Sequence, residues 1–217
     1  MPTAPNGQGW PIRFGAVCLR AALYILLIAG LAQGAYLEAF HLEAVRFSER
    51  GFTELAQTAL LATATLLLLD TWMRLRALPE VTLLLLAFVA SSLIREQDVH
   101  LDAHVFDGAW QLLVSLVVLP TLYWVIRHRR RFLEQFAHFS NTFAFGLFAA
   151  GVLTTYVFSR LYGRADFWMA VLQEYYVRDF KSAAEEVVEL LGYGLILIAV
   201  IEFALLARRW HRAQRAT

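Results

Sequence analysis

The chain has 217 residues, of which 59% are hydrophobic and 17% charged, with a formal net charge of +1; its mean hydropathy is +0.53. Soluble domains carry about a quarter charged residues, so the composition excludes an ordinary water-soluble globule. The single Cys18 cannot form an internal disulfide.

In chain order, the first residues, with Pro2, Pro5, Gly7, Gly9 and Pro11, read as a mobile cytoplasmic arm over 1–13. Six apolar stretches follow, at roughly 14–36, 53–72, 79–95, 109–127, 140–162 and 186–207. Each approaches the roughly 20 residues that a helix needs to cross the hydrocarbon core. The first is too long for the apolar part of a signal peptide and holds Arg20, so it reads as a retained helix. Pro79 stands at the start of the third, where its missing N–H is harmless. The third outer connection, 163–185, carries Phe167, Trp168, Val171, Leu172, Tyr175 and Tyr176 at helical spacings and predicts an amphipathic interfacial helix. The expected fold is an all-α polytopic bundle of six transmembrane helices forming one domain over 1–217, with membrane lipids as its immediate partners.

Orientation follows from Lys and Arg. Arg13, Arg20, Arg74, Arg76, Arg127, Arg129, Arg130, Arg131, Arg208, Arg209, Arg212 and Arg215, twelve of the nineteen basic residues, fall on one side. The positive-inside rule places that side in the cytoplasm, with both termini. The basic segment 127–131 then reads as a topology anchor facing anionic lipid rather than a nucleic-acid patch. Fourteen of the eighteen carboxylates fall on the other side. Compactness and short loops point to a bacterial inner membrane.

The outer carboxylates gather at helix ends. Glu54 and Gln57 share a face at the start of the second span; Ser91, Arg95, Asp98 and Asp102 follow one another at helical spacing from the end of the third. Glu185, Glu186, Glu189 and Tyr193 open the sixth. Odd-numbered connections share a side, so these stripes are expected at one depth, with Arg95 central as the only cation within them. Charged groups near hydrocarbon are costly and usually paired or functional. The plain structural reading is an ion-pair network joining three helices, in a scaffold, a sensor or a subunit that binds another membrane protein. A hard divalent cation suits the oxygen ligands. Glu96, His100 and His104, spaced i, i+4, i+8, add nitrogen donors and extend the candidate metal set of Asp98, Glu185, Glu186 and Glu189 toward zinc. A metal-assisted hydrolase or transferase acting on a lipid-linked substrate would draw ligands or a base from Glu54, Glu96, Asp98, Glu186 and Glu189, with Arg95 holding an anionic group. A proton- or substrate-coupled carboxylate site of the transporter kind is a further reading, without the broken-helix pair that such sites use.

Two local patterns resemble known families without extending far. The acidic second helix is loosely similar to the alkaline ceramidase class, but the sixth span lacks that class's histidines. The Glu185–Glu186 pair is similar to the glutamate pair of CPBP-type intramembrane proteases, yet His138 lies at the opposite end of the fifth span. No family is assigned. A separate pairing is expected on the inner side, where Arg20 and Glu202 lie at similar depth and would bring the first and sixth spans together.

Overall fold

The computed structural model describes residues 12–41 and 51–215; the expected arm up to residue 11 and the connection 42–50, with Glu49, lie outside the described residues. All regular structure among the described residues is helical. The long helices are α1 (Phe14–His41), α2 (Phe52–Asp70, prolonged by a π turn over Thr71–Leu75), α3 (Pro79–Arg95) and α5 (Ala109–Arg127). With them stand α7 (Phe143–Val152, continuing through a π turn over Leu153–Phe158 and a last turn, Ser159–Tyr162) and α9 (Arg178–Arg215). Short helices lie between them: α4 (Asp98–His104), α6 (Arg129–Ser140) and α8 (Ala165–Leu172).

Five helices, α1, α2, α5, α7 and α9, are long and apolar enough to cross a membrane, which marks the chain as a membrane protein. At 17 residues, α3 is shorter than these. The surface agrees with the helix lengths. Along α5, Leu116, Leu119, Tyr123 and Ile126 are all more than half exposed, and such a band is a liability in water but ordinary against lipid.

Helix α9 is the centre of the bundle. It packs against α7, α2 and α1, while α3 lies between α2 and α5. Tyr193, Ile196, Val200 and Phe203 on α9 are fully buried, with Leu61 and Leu68 of α2 and Val81 and Val89 of α3 beside them. A helix apolar all round belongs inside, and α9 meets that condition between Leu190 and Ile201. Small residues set how closely its neighbours approach. A Cβ on Gly151 of α7 would lie 2.7 Å from Ile196 Cγ1 and 2.9 Å from the Gly192 carbonyl, and one on Gly192 would overlap Thr155 Oγ1. Gly194 faces Ile28 and Leu31 of α1, whereas none of the described residues comes within 4 Å of a Cβ on Gly146.

Several connections differ from the sequence expectation. The basic segment after α5 is no loop: α6 starts at Arg129 and buries Gln135 and Phe139 while leaving its arginines exposed. Gln135 caps α3, its Oε1 accepting from the Glu80 N–H at 3.0 Å while its amide donates to the Glu80 carboxylate. Pro79 does stand at the first turn of α3. The amphipathic segment expected over 163–185 is broken in two. Helix α8 ends at Leu172 because Gln173 takes a positive φ of 51°. The chain then re-enters helix at Arg178, so α9 runs for 38 residues, about 57 Å.

At one end of the bundle α1 and α9 are joined as expected. Arg20 Nη1 lies 2.8 Å from Glu202 Oε2, and the Tyr24 hydroxyl donates to Glu202 Oε1 at 2.5 Å. Asp70 lies 3.0 Å from Arg74 and 3.7 Å from Arg208 at the same end. The glycine contact between α7 and α9 generates an expectation. Gly192→Ala should lower stability by about 1–3 kcal/mol through overpacking, read as thermal unfolding in detergent. Gly30→Ala, with none of the described residues within 4 Å of the added carbon, should stay within about 0.5 kcal/mol of the parent. Equal melting of the two variants would mean that the close approach does not hold the helices.

Candidate functional site

At the opposite end, where α2 and α9 begin and α3 finishes, the helices leave a cleft of about 520 Å³. Helix α2 lines it with Glu54, Leu55 and Thr58, and the α3–α4 junction with Arg95, Glu96, Asp98 and His100. Trp110 of α5, Arg160 of α7, and Lys181, Glu185, Glu186 and Glu189 of α9 complete the charged and aromatic lining. The structure therefore brings Glu54, Arg95, Glu186 and Glu189 around one space.

The innermost carboxylate is Glu189, only 4% exposed. Its Oε2 lies 3.8 Å from Arg95 Nη2 and its Oε1 3.1 Å from Arg160 Nη2, so α3 and α7 each supply one cation to α9. Ser159 adds a hydroxyl donor to Oε1 at 3.3 Å. Burial of a carboxylate is tolerated only with such partners. Arg95 also reaches Glu96 Oε1 at 2.8 Å, the oxygen to which the Tyr193 hydroxyl donates at 2.7 Å. The Tyr156 ring stands 5.8 Å from the Arg95 guanidinium carbon, and the Tyr156 hydroxyl lies 2.5 Å from Ser92 Oγ.

Arg95 is not the only cation in this stripe, which corrects the sequence expectation. Arg160 pairs with Glu185 Oε1 at 2.7 Å and Lys181 with Glu185 Oε2 at 2.5 Å, one helical turn apart on α9. Glu185 lies flat against Gly163, where a Cβ would sit 2.7 Å from its carboxyl carbon. Glu186 is held differently. It accepts from the Gln57 amide at 3.0 Å, and that amide also reaches the Glu186 carbonyl at 3.2 Å. Gln57 is fully buried, and among the described residues its Oε1 has no hydrogen-bond partner.

The expected alignment of Glu96, His100 and His104 is not formed. Helix α3 stops at Arg95 and α4 starts afresh at Asp98, so Glu96 sits in the break and turns toward Tyr193. His104 is exposed, outside the cleft lining, with Nδ1 2.9 Å from the His100 carbonyl. Asp98 accepts from the Val99 N–H at 2.6 Å, and Asp102 turns away to accept from the Gly108 N–H at 3.0 Å. Among the described residues no three His, Cys, Asp or Glu side chains converge as a metal ion requires. The carboxylates Glu96, Glu185 and Glu189 instead face arginine and lysine.

Two further groups escaped the sequence reading. Glu38 of α1, fully buried, accepts from the Thr53 N–H at 2.8 Å and the Thr53 hydroxyl at 2.6 Å, capping α2 at this same end. Beyond the bundle, Arg164 hydrogen-bonds Asp166 and holds that carboxyl below its ordinary range. That pair is exposed and contributes little to stability.

Comparison of the chain with protein-family models, curated proteins and solved structures gives no match in any of the three.

The arrangement around Glu189 predicts an ordered series. Arg95→Leu should cost about 1–3 kcal/mol, because a buried carboxylate loses one of two cations. Arg95→Lys should recover part of the loss, keeping the charge without the planar fork. Adding Glu189→Gln to Arg95→Leu should also recover part, since the stranded charge is removed. Melting curves in detergent read all three, and identical curves for Arg95→Leu and the parent would rule out a holding role for this contact.

Proposed function

We propose that the chain is a six-span protein of the bacterial inner membrane, with both termini cytoplasmic, and that it works as a non-catalytic binding or sensing component through the cleft. The sixth span is α3. It is short but lies between α2 and α5, two helices long enough to cross, and it is tied at one end to Glu80–Gln135 and at the other to Arg95–Glu189. A short span is accommodated by local bilayer thinning at modest cost. The orientation rests on the distribution of Lys and Arg.

The observation that carries the non-catalytic reading is how the charges are used. The three cations of the cleft stand on Glu96, Glu185 and Glu189, and these pairs join α3, α7 and α9. Such pairing holds helices in place, and among the described residues it leaves no convergent ligand set. The cleft is then a rigid-walled receptor. The metal-assisted hydrolase reading needs donors that converge, which the described residues do not provide.

Two measurements test this. A reporter active only outside the cytoplasm should work when fused after Asp102 or Gln173 and fail when fused after Arg130 or Thr217; activity at Arg130 would reverse the orientation. Elemental analysis of detergent-purified protein should find no stoichiometric transition metal. One bound metal per chain, lost in Glu186→Gln, would replace the binding reading with the hydrolase reading.

A further inference from the structure

Helix α6 lies at the end of the bundle away from the cleft. Helix α5 starts beside the cleft with Trp110 and ends at Arg127, and α7 sets out again at Phe143. Both are long and apolar enough to cross a membrane, so the segment joining them is confined to one membrane surface. Successive residues of α6 are about 100° apart around its axis, which gives the helix three sides. Gln135 and Phe139 are buried, the first against the opening turn of α3 and the second against Phe203 of α9. Arg129, Leu133 and Phe136, spaced i, i+4, i+7, share one flank and are all exposed. Arg130, Glu134 and Ala137 share the other, exposed as well.

The apolar surface of α5 fixes the depth of this elbow. Tyr123, Trp124 and Ile126 are exposed just before it. Aromatic rings so placed belong at the headgroup level, which puts Arg127 and the arginines after it beside the lipid phosphates. Arg127, Arg129, Arg130 and Arg131 are all exposed, and among the described residues none has a carboxylate within 4 Å. Glu134, one turn beyond Arg130, bridges none of them. Uncompensated positive charge therefore stands next to Leu133, which is 62% exposed.

A partner has to answer both features. A nucleic acid, an acidic protein surface or free phosphate would meet the guanidinium groups and leave Leu133 and Phe136 in water. An anionic phospholipid brings a phosphate diester to the planar guanidinium forks and acyl carbons to the apolar flank.

We propose that α6 and the elbow before it form a binding surface for anionic phospholipid in the finished protein. Arg127, Arg129, Arg130 and Arg131 hold headgroup phosphate, and Leu133 and Phe136 lie among the upper acyl carbons. This goes beyond a topology anchor, whose role ends at insertion, and it stands apart from whatever the cleft binds.

The test titrates the full chain in a non-ionic detergent with short-chain phosphatidylglycerol, read calorimetrically. Three controls accompany it: phosphatidylcholine of the same chain length, glycerol phosphate without acyl chains, and a single-stranded DNA oligonucleotide. Phosphatidylglycerol should bind saturably, more weakly as salt is added, and more tightly than any control. Arg129→Gln with Arg130→Gln should weaken that binding about tenfold. Arg212→Gln with Arg215→Gln removes the same charge from exposed positions at the end of α9 and should leave it nearly unchanged. Leu133→Ser, which touches no charge, should weaken it too, and it gives a second reading if the first double variant does not fold. Absence of saturable phosphatidylglycerol binding would overturn the proposal, as would phosphatidylcholine binding just as tightly. Equal losses in the two double variants would assign the effect to the general charge of this surface and not to α6. Glycerol phosphate as tight as the lipid, or an oligonucleotide tighter than it, would give the arginines to a soluble anion or to nucleic acid instead.

Discussion

A carboxylate buried three turns into a central helix needs positive charge from its neighbours, and Glu189 draws it from two. Arg95 comes from the last turn of α3 and Arg160 from the last turn of α7. These helices also pack beside α9 or its partner α2 over their apolar lengths, but apolar contact between helices has little directional preference in lipid. The two arginines fix which faces meet and at what height. Arg95 is placed in turn by Glu96 and by the Tyr156 ring, and Arg160 by Glu185. Removing Glu189 would therefore take away the one carboxylate that both arginines share, leaving α7 tied to α9 through Arg160–Glu185 and α3 tied to α9 through Glu96–Tyr193.

The helices themselves were legible because hydrocarbon demands long apolar runs: five of the six predicted stretches contain helices long and apolar enough to cross, 79–95 is a shorter helix, and 140–162 opens on a turn at Asn141 and Thr142. The Arg20–Glu202 pair was legible for a related reason. Two opposite charges at equal depth on adjacent apolar helices have few alternatives to meeting, and they meet at 2.8 Å. Lys181 was readable in principle, four residues before Glu185, but only once Arg178–Arg215 is taken as one helix. The break between α3 and α4 was not readable. Nothing in the run from Arg95 to His104 forbids a continuous helix, and the turn at Glu96 is decided by Tyr193 and Arg95 on its far side. Arg160 was hidden by a different cause. A π turn precedes it on α7, and regular spacing cannot assign a face across such a turn.

Polar depth has its own pattern. Glu189 and Glu202 both point into the bundle from α9 and are thirteen positions apart, about 20 Å along the axis, while the hydrocarbon core is about 30 Å thick. Each carboxylate thus lies within the apolar layer if α9 crosses it centrally. Each is correspondingly surrounded by cations and hydroxyls: Arg95, Arg160 and Ser159 at one end, Arg20 and Tyr24 at the other. Glu80, almost fully buried, is met by an amide. Burying charge is costly everywhere along this bundle, and nearly every instance sits at a junction between helices.

The π turn of α7 makes the molecule sensitive to chain length in a way that substitution does not reveal. It adds one residue to a turn, so every residue after it is rotated by about 100° from its place in an uninterrupted α-helix. Ser159 and Arg160, which follow it, reach Glu189 from that rotated position, and Thr155 within it lies against Gly192. Loss of a single residue between Leu153 and Phe158 would restore a regular helix and swing Arg160 toward lipid without changing the chemistry of any side chain. The lipid-facing residues of that same segment, such as Leu153 and Val157, are free to change identity so long as they remain apolar. The constraint on this stretch is one of counting, and drift in its composition would leave the counting intact.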